Sequence, residues 1–154
     1  MGLRKNNGPF NIFAEAETII EFYNLDPMQV VWHGNYLKFF ELGRRSLMEK
    51  IGYSYNEMKE SEFAFPVVKI SVKYLKSLRL KDRIRIKAIL TDYENCLKIK
   101  YEIYNAETGI EIARGLSTQM AYDIKNDESC FVCPEVLTKK VERMINEQEI
   151  MKKN

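Results

Sequence analysis

The sequence lacks any long hydrophobic run, which argues against a helix that crosses a membrane. Such a helix needs about 20 consecutive apolar residues, and no stretch of the 154 residues approaches that length. The opening segment, MGLRKNNGPFNIF, also lacks the continuous apolar block of a secretory signal. We therefore expect a cytoplasmic protein without a membrane span.

An excess of charge of one sign is also lacking. The chain has 24 Lys and Arg against 22 Asp and Glu, a formal net charge of +2. This balance argues against nucleic-acid binding by bulk electrostatics, so an anionic partner must be bound locally.

Cysteine is scarce, with only Cys96, Cys130 and Cys133. Three cysteines cannot all pair within one chain, which argues against a secreted domain built on disulfides. Cys130 and Cys133 have the spacing of half a zinc site. The second pair of ligands is missing, however, because only Cys96 and a distant single histidine remain. We expect cysteines without a metal, and no bound cofactor.

The residues that are present indicate one globular domain. Hydrophobic residues make up 45% of the chain and charged residues 30%, enough for a core and a solvated surface, and the length fits a single domain. The polar start, with its Gly and Pro, predicts a flexible N-terminal arm over residues 1–13. Residues 14–154 are predicted to form the domain.

Hydrophobic periodicity predicts an α+β fold. Alternation of apolar and polar residues predicts strands over residues 14–23, 66–75, 82–90, 96–104 and 110–122. In the second of these, Val68, Ile70, Val72 and Tyr74 share one face, which is expected to be buried. Apolar residues three and four apart predict a helix from Tyr36 to about Ile51, with Gly43 on its apolar side, and a charged helix follows Pro134.

This order of elements predicts an antiparallel sheet of about five strands with the long helix on one face. One helix covers one face only. The other face, or an edge, is expected to meet a second subunit.

The single histidine lies in the segment DPMQVVWHGNY, residues 26–36. A short loop joins Asp26 to the predicted helix start between His33 and Tyr36, so the two can face the same space. A helix N-terminus offers unpaired N–H groups that polarise a carbonyl. A carboxylate opposite can attack that carbonyl or take a proton from water. The pair suits acyl transfer to water.

The same residues also have structural interpretations. Aspartate before proline is common in turns, Asn35 can act as an N-cap, and a lone histidine is more often a hydrogen-bonded structural residue than a catalyst. The spacing alone leaves both interpretations open.

The string D-x-x-x-V-V-x-H-x-x-Y-x-x-x-F-E-x-x-R resembles the signature of hotdog-fold acyl-CoA thioesterases, in particular the 4-hydroxybenzoyl-CoA thioesterase branch. It is formed here by Asp26, Val30, Val31, His33, Tyr36, Phe40, Glu41 and Arg44. The likeness covers the element order from about residue 16 to residue 142. It implies a hotdog fold, in which a curved antiparallel sheet wraps one long helix. It also implies a homodimer or homotetramer with active sites at the dimer interface.

The resemblance implies roles for three site residues. Asp26 is expected as the catalytic carboxylate, either a nucleophile that forms an acyl-enzyme anhydride or a general base for water. The backbone N–H of His33 is expected to polarise the thioester carbonyl. Glu41 is expected as a helper, because another hotdog branch places its catalytic carboxylate there. The alternative for Glu41 is an exposed i,i+4 pair with Arg45.

The expected substrate is an acyl-CoA, with an acyl carrier protein as the alternative carrier. Trp32, Gly34, Tyr36 and Phe39 are expected to line the acyl pocket, although a tyrosine on an apolar stripe more often packs than reacts. Coenzyme A carries a phosphorylated nucleotide that needs basic residues at the mouth of the site. The sequence offers Lys69, Lys73, Arg79, Arg83, Arg85 and Lys87.

One position departs from the family, which usually has glycine where Gln29 stands. If the backbone there requires a positive φ, glutamine is strained where glycine is not. Two other functions stay open: a hotdog protein that binds acyl-CoA without turnover, and a dehydratase acting on hydroxyacyl thioesters.

Overall fold

The computed structural model describes residues 6–153, and five long strands within it form one antiparallel sheet. The strands, in chain order, are β1 (Phe13–Ile19), β2 (Phe63–Ala64), β3 (Val67–Tyr74), β4 (Arg83–Asp92), β5 (Leu97–Asn105), β6 (Glu111–Gln119), β7 (Tyr122–Asp123) and β8 (Glu128–Ser129). The large sheet has the order β1-β4-β5-β6-β3, and the short strands form a second sheet, β2-β7-β8. The helices are α1 (Tyr36–Ile51), α2 (Tyr55–Glu60) and α3 (Glu135–Lys153).

Helix α1 has the bounds that the periodicity predicts and packs on one face of the large sheet. It ends at Gly52, whose φ of 88° is the left-handed conformation typical of a helix stop. Gly43 faces the sheet so closely that an added Cβ would lie 2.8 Å from Ile86 Cγ2. Nearer the start of α1, the Phe40 ring stacks on Tyr101 at 4.6 Å between centroids. The predicted sheet of about five strands around one long helix is therefore confirmed.

The alternation that predicts β4 and β5 corresponds to burial in the structure. In β5, Leu97, Ile99, Tyr101 and Ile103 are buried in the core while Lys98 is exposed. The hydrophobic faces of these central strands form the core together with the buried side of α1.

Strand β3 differs from the prediction of one buried face. Of the four residues predicted on that face, Val68, Ile70 and Tyr74 are 39–55% exposed, while Val72 is partly buried against the core. The reason is topological: β3 is an edge strand, paired on one side only with β6, and its apolar residues extend beyond the cover of α1. Within the described chain Val72 packs partly against the core and the Tyr74 ring contacts Tyr36, while Val68 and Ile70 stay exposed.

Strand β1 is shorter than predicted. It ends at Ile19, and residues Phe22–Asn24 form a 3₁₀ turn in which Phe22 and Tyr23 are more than three-quarters exposed. The Asn24 side chain accepts a hydrogen bond of 2.8 Å from the Glu21 N–H, which curls the chain away from the sheet. A local side-chain bond thus ends the strand where periodicity alone continued it.

The N-terminal segment is packed where it is described. Ile12 is fully buried, and Gly8 lies against β4, where an added Cβ would be 2.7 Å from Ile89 Cγ2. The Lys87 ammonium donates to Asn7 Oδ1. For residues 6–12 these contacts differ from the flexible arm expected. Residues 1–5 lie outside the described residues, so the division at residue 13 stays a prediction.

Helix α3 begins directly after Pro134, as expected, and buries Leu137 and Val141. It also contacts α1. No helix within residues 6–153 is long and apolar enough to span a bilayer.

Candidate active site

A tight turn presents Asp26. The Asp26 N–H donates to the Val30 carbonyl and the Gln29 N–H donates to the Asp26 carbonyl, each at 2.9 Å, while Leu25 pairs with Val31. Gln29 has a φ of 60°. A residue in the left-handed conformation at the end of such a turn is normally glycine. The condition stated for this position is therefore met: the backbone has a positive φ, and glutamine bears a steric strain there that glycine avoids.

Two buried asparagines join this turn to the start of α1. The Asn24 carbonyl accepts hydrogen bonds from the Asn35 side-chain amide at 2.8 Å and from the Trp32 N–H at 3.0 Å. Asn35 occupies the N-cap position of α1, but its side chain makes no cap bond because it is used in this link. Sequence analysis assigned Asn24 no role in the site, since its role depends on a partner eleven residues away.

His33 begins a 3₁₀ turn, His33–Asn35, that leads directly into α1. Its N-cap, Trp32, provides no side-chain hydrogen bond. The first N–H groups of a helix have no acceptor within the helix, so this end offers free donors with a partial positive charge. The arrangement suits an oxyanion or a polarised carbonyl.

Strand β3 fixes the helix start from the other side. The Tyr74 hydroxyl donates a hydrogen bond of 2.9 Å to the His33 carbonyl, and its ring meets Tyr36 edge-on at 4.9 Å. Sequence reasoning missed this role of Tyr74, because it assigned the residue only to the buried face of a strand. A polar aromatic as the last residue of a strand was the available signal.

A cavity of about 220 Å³ opens at this junction. It is lined by Val30, Val31, His33, Tyr36, Tyr74, Leu75, Lys76 and Ser77. Burial raises the pKa of Tyr36 to about 12, with a smaller contribution from the nearby Tyr74. Tyr36 is therefore a neutral phenol at physiological pH and cannot serve as a general base there.

Asp26 lies beside this cavity without lining it in the single chain. Its backbone pairs with Val30, a lining residue, but its Oδ1 accepts a hydrogen bond of 2.8 Å from the Met28 N–H. The half-buried carboxylate thus stabilises its own turn, which is the structural interpretation that sequence analysis gave as the alternative to catalysis. It retains a second oxygen for other partners.

Glu41 lies away from the cavity, on the outer side of α1. Its side chain is 50% exposed and pairs with Arg44, one turn along the helix, not with Arg45 as the alternative interpretation supposed. The Tyr55 hydroxyl also donates to Glu41, at 3.2 Å. Glu41 and His33 are eight residues apart, about 12 Å along a helix. The structure therefore does not bring these two site residues together.

The expected acyl-pocket residues separate into two groups. The Trp32 ring is half-exposed and covers Gly34, where an added Cβ would lie 2.3 Å from the indole. Trp32 also meets the His33 ring at 5.1 Å. Phe39, in contrast, is buried in the core beside Tyr36, with centroids 5.9 Å apart. Tyr36 alone of the four lines the cavity.

The three cysteines lie near one another around the turn between β4 and β5. Burial raises the pKa of the Cys133 thiol to about 12, with smaller contributions from Cys96, Asp92 and Cys130. All three thiols are free. Within residues 6–153 no group of three potential ligands is arranged to hold a metal ion.

Comparison with known proteins identifies the family. The sequence profile described as the thioesterase-like superfamily matches residues 20–141. YneP of Bacillus subtilis, provisionally described as an acyl-CoA thioesterase, is 30% identical over 93 residues, which cover 60% of this chain and 67% of YneP. The acyl-acyl carrier protein thioesterase ATL3 of Arabidopsis thaliana is 32% identical over 76 residues, 49% of this chain but only 40% of ATL3.

A solved structure supports the same fold. The DHNA-CoA thioesterase of Staphylococcus aureus has a TM-score of 0.76 against this chain, covering 92% of it and 93% of that protein at 22% identity. The hotdog fold and the enzyme family predicted from the motif are thus confirmed, while the branch within the family stays a prediction. The chain belongs to the thioesterase-like superfamily.

Proposed function

We propose that the protein hydrolyses an acyl thioester of coenzyme A to the free acid and the thiol. The observation that carries this proposal is the uncapped helix start at His33, which opens on a cavity in a chain of the thioesterase-like superfamily. Relatives named as thioesterases support the reaction class.

In the proposed reaction the thioester carbonyl accepts a hydrogen bond from the His33 N–H, which stabilises the negative charge that develops on oxygen. Asp26 acts from the turn beside the cavity. As a nucleophile, its carboxylate oxygen attacks the carbonyl carbon, the carbon–sulfur bond breaks, and the thiolate leaves and takes a proton. Water then cleaves the anhydride. As a general base, Asp26 instead takes a proton from the attacking water.

The proposal includes pairing of two copies of the chain. Strand β3 has an unpaired edge and exposes Val67, Val68, Ile70 and Tyr74. A long apolar edge strand of this kind is a template for pairing with another strand. Tyr74 also lines the cavity, so a second copy at this edge would enclose the space beside His33.

The test is a panel of acyl-CoA substrates with detection of released thiol. Wild type is compared with Asp26→Asn and with the matched control Glu60→Gln, an exposed acid on α2. We expect Asp26→Asn to lower kcat by several orders of magnitude if Asp26 is the nucleophile, and the control to be unchanged. Full turnover by Asp26→Asn would reject Asp26 as the catalyst.

The same panel with acyl-acyl carrier protein identifies the carrier, since the named activity of ATL3 motivates that alternative. A higher kcat/KM for the protein-bound substrate than for acyl-CoA would replace coenzyme A in the proposal.

A second candidate function is acyl-CoA binding without turnover. The observation that favours it is the engagement of Asp26 by the Met28 N–H, together with its position outside the cavity lining. Calorimetry distinguishes the two functions: tight binding of acyl-CoA with no thiol released over hours would support the binding protein.

A further inference from the structure

A second cavity lies at the far end of strand β3 from the candidate site, with a volume of about 370 Å³. Its lining consists of Val68, Lys69, Asn95, Cys96, Lys98, Thr118, Met120 and Phe131. Lys69 and Lys98 are the cross-strand neighbours of Thr118 on either side, so the three side chains stand in one row. The volume falls within the roughly 300–1,000 Å³ typical of small-molecule sites.

The two lysines bring positive charge to this cavity. Two other cations of the same sheet form ion pairs: Lys100 with Glu102, and Arg85 with Glu15, each at 3.7 Å. Among the described residues neither Lys69 nor Lys98 forms an ion pair. Asp92, across the strand pair from Lys98, has an oxygen held by the Glu94 N–H at 3.0 Å. An anion can therefore bind between the lysines, with the Thr118 hydroxyl as a further donor.

An exposed aromatic ring lies at the same cavity. Phe131 is 81% exposed although it is one of the lining residues, and the adjacent Val132 is also exposed. Because its ring is so exposed, Phe131 contributes little to the hydrophobic core of this chain. Its free face suits stacking with a planar ring, and bases of nucleotides stack on aromatic side chains in this way.

We propose that this cavity binds a phosphorylated adenosine, the nucleotide end of coenzyme A. The phosphates lie between Lys69 and Lys98, and the adenine stacks on Phe131. The inference rests on the proposed function and deepens it, because it assigns the carrier end of the substrate to residues outside the reacting centre. It also selects Lys69 from the six basic candidates that the sequence offered.

The two cavities are related through the edge strand. Val68 lines the second cavity and Tyr74 lines the cavity at His33. The two residues lie six positions apart on β3, which corresponds to about 20 Å along a strand. When two edge strands pair antiparallel about a twofold axis, the start of one lies beside the end of the other. The nucleotide cavity of one copy then lies at the same rim of the joined sheet as the His33 cavity of its partner.

The direct test is binding of adenosine 3′,5′-bisphosphate by calorimetry. We expect roughly a tenfold increase in Kd for Phe131→Ala, in line with the cost of losing one base stack, and at least as large an increase for Lys69→Ala/Lys98→Ala. Lys59→Ala, an exposed lysine on α2, is the matched control and should bind like wild type. The nucleotide should also slow alkylation of Cys96, followed by peptide mass, more than unphosphorylated adenosine does. Absence of binding by wild type, or unchanged binding by the double lysine variant, would overturn the proposal.

A kinetic comparison separates this proposal from the proposed function. The double lysine variant should raise KM about tenfold for an acyl-CoA with kcat unchanged, and should hydrolyse the matching acyl-pantetheine, which has no nucleotide, like wild type. An unchanged KM for acyl-CoA would count against the cavity as the nucleotide site. If wild type hydrolyses neither substrate, the hydrolase proposal fails, while the calorimetry still decides whether the cavity binds the nucleotide.

Discussion

The Tyr74 hydroxyl donates a 2.9 Å hydrogen bond to the carbonyl of His33, so the last residue of the edge strand is tied to the first residue of the helical turn at the candidate site. The two residues that this bond joins are 41 positions apart in the sequence. It holds the edge strand against the turn that leads into α1, and both residues line the cavity.

Replacing Tyr74 with phenylalanine removes this bond and keeps the ring contact with Tyr36. We expect a loss of about 1 kcal/mol in the free energy of unfolding, the usual contribution of one hydrogen bond. We also expect roughly a fivefold fall in kcat/KM, because the helix start is less well positioned. Denaturant unfolding and the thiol assay measure the two effects. Tyr23→Phe, at an exposed tyrosine, is the control; an equal effect in both variants would remove the special role of Tyr74.

The positive φ of Gln29 makes a stability prediction. Gln29→Gly should raise the free energy of unfolding by about 1 kcal/mol, because glycine adopts the left-handed conformation without the steric cost borne by other residues. Gln29→Ala retains that cost and should change stability little. Chemical denaturation of the three proteins provides the comparison, and a destabilised glycine variant would show that the Gln29 side chain contributes more than its backbone strain costs.

Burial of Tyr36 predicts a pH dependence of stability. Its pKa rises from the ordinary value of 10.0 to about 12 in the folded protein, chiefly because burial disfavours the phenolate. The resulting stability is fully present below pH 10 and is lost as the pH rises towards 12. Tyr36→Phe should therefore show a smaller decline in unfolding free energy over this window than wild type.

Tyr101 has a similarly raised pKa and shares the alkaline decline, so the Tyr36→Phe/Tyr101→Phe variant should decline least. Tyrosinate absorbance provides a second readout. The midpoint of the tyrosines that titrate last should lie near pH 12 in wild type, and these should be fewer in the double variant. Titration of every tyrosine near pH 10 would contradict the burial.

The exposed edge of β3 predicts an effect on assembly. Ile70→Asp places a charge on the apolar row that we propose to lie between two copies. We expect a monomer by light scattering, with thioesterase activity lowered at least tenfold because the cavity is left open. Ile124→Asp, at an isoleucine of comparable exposure outside the large sheet, should keep the native assembly and activity. A monomeric wild type would refute the pairing outright.

Periodicity predicted those helices and strands that have one face buried in the core and the opposite face towards solvent. Helix α1 and strands β4 and β5 agree with the predicted ranges within two residues, because Gly52, Asp92 and similar turn formers end them locally. Strand β3 shows the limit of the method. Its alternation is the same as that of its neighbours, but burial depends on its place in the sheet, which sequence spacing does not encode.

The candidate site was predictable where it depends on local order, and not where it depends on long-range contacts. His33 does stand at a helix start, and Gln29 does have a positive φ. The links from Tyr74 and Asn24 join segments distant in sequence, so no motif contained them. The roles of Asp26, Glu41 and the acyl-pocket residues stay predictions for the kinetic experiments above.

The packing of Gly8 and Ile12 has a practical consequence for handling the protein. Shortening the chain so that it starts at Phe13 would expose Ile89 and leave an apolar surface on β4, which favours aggregation. An affinity tag is better appended after the exposed last turn of α3, where added residues displace no packed side chain.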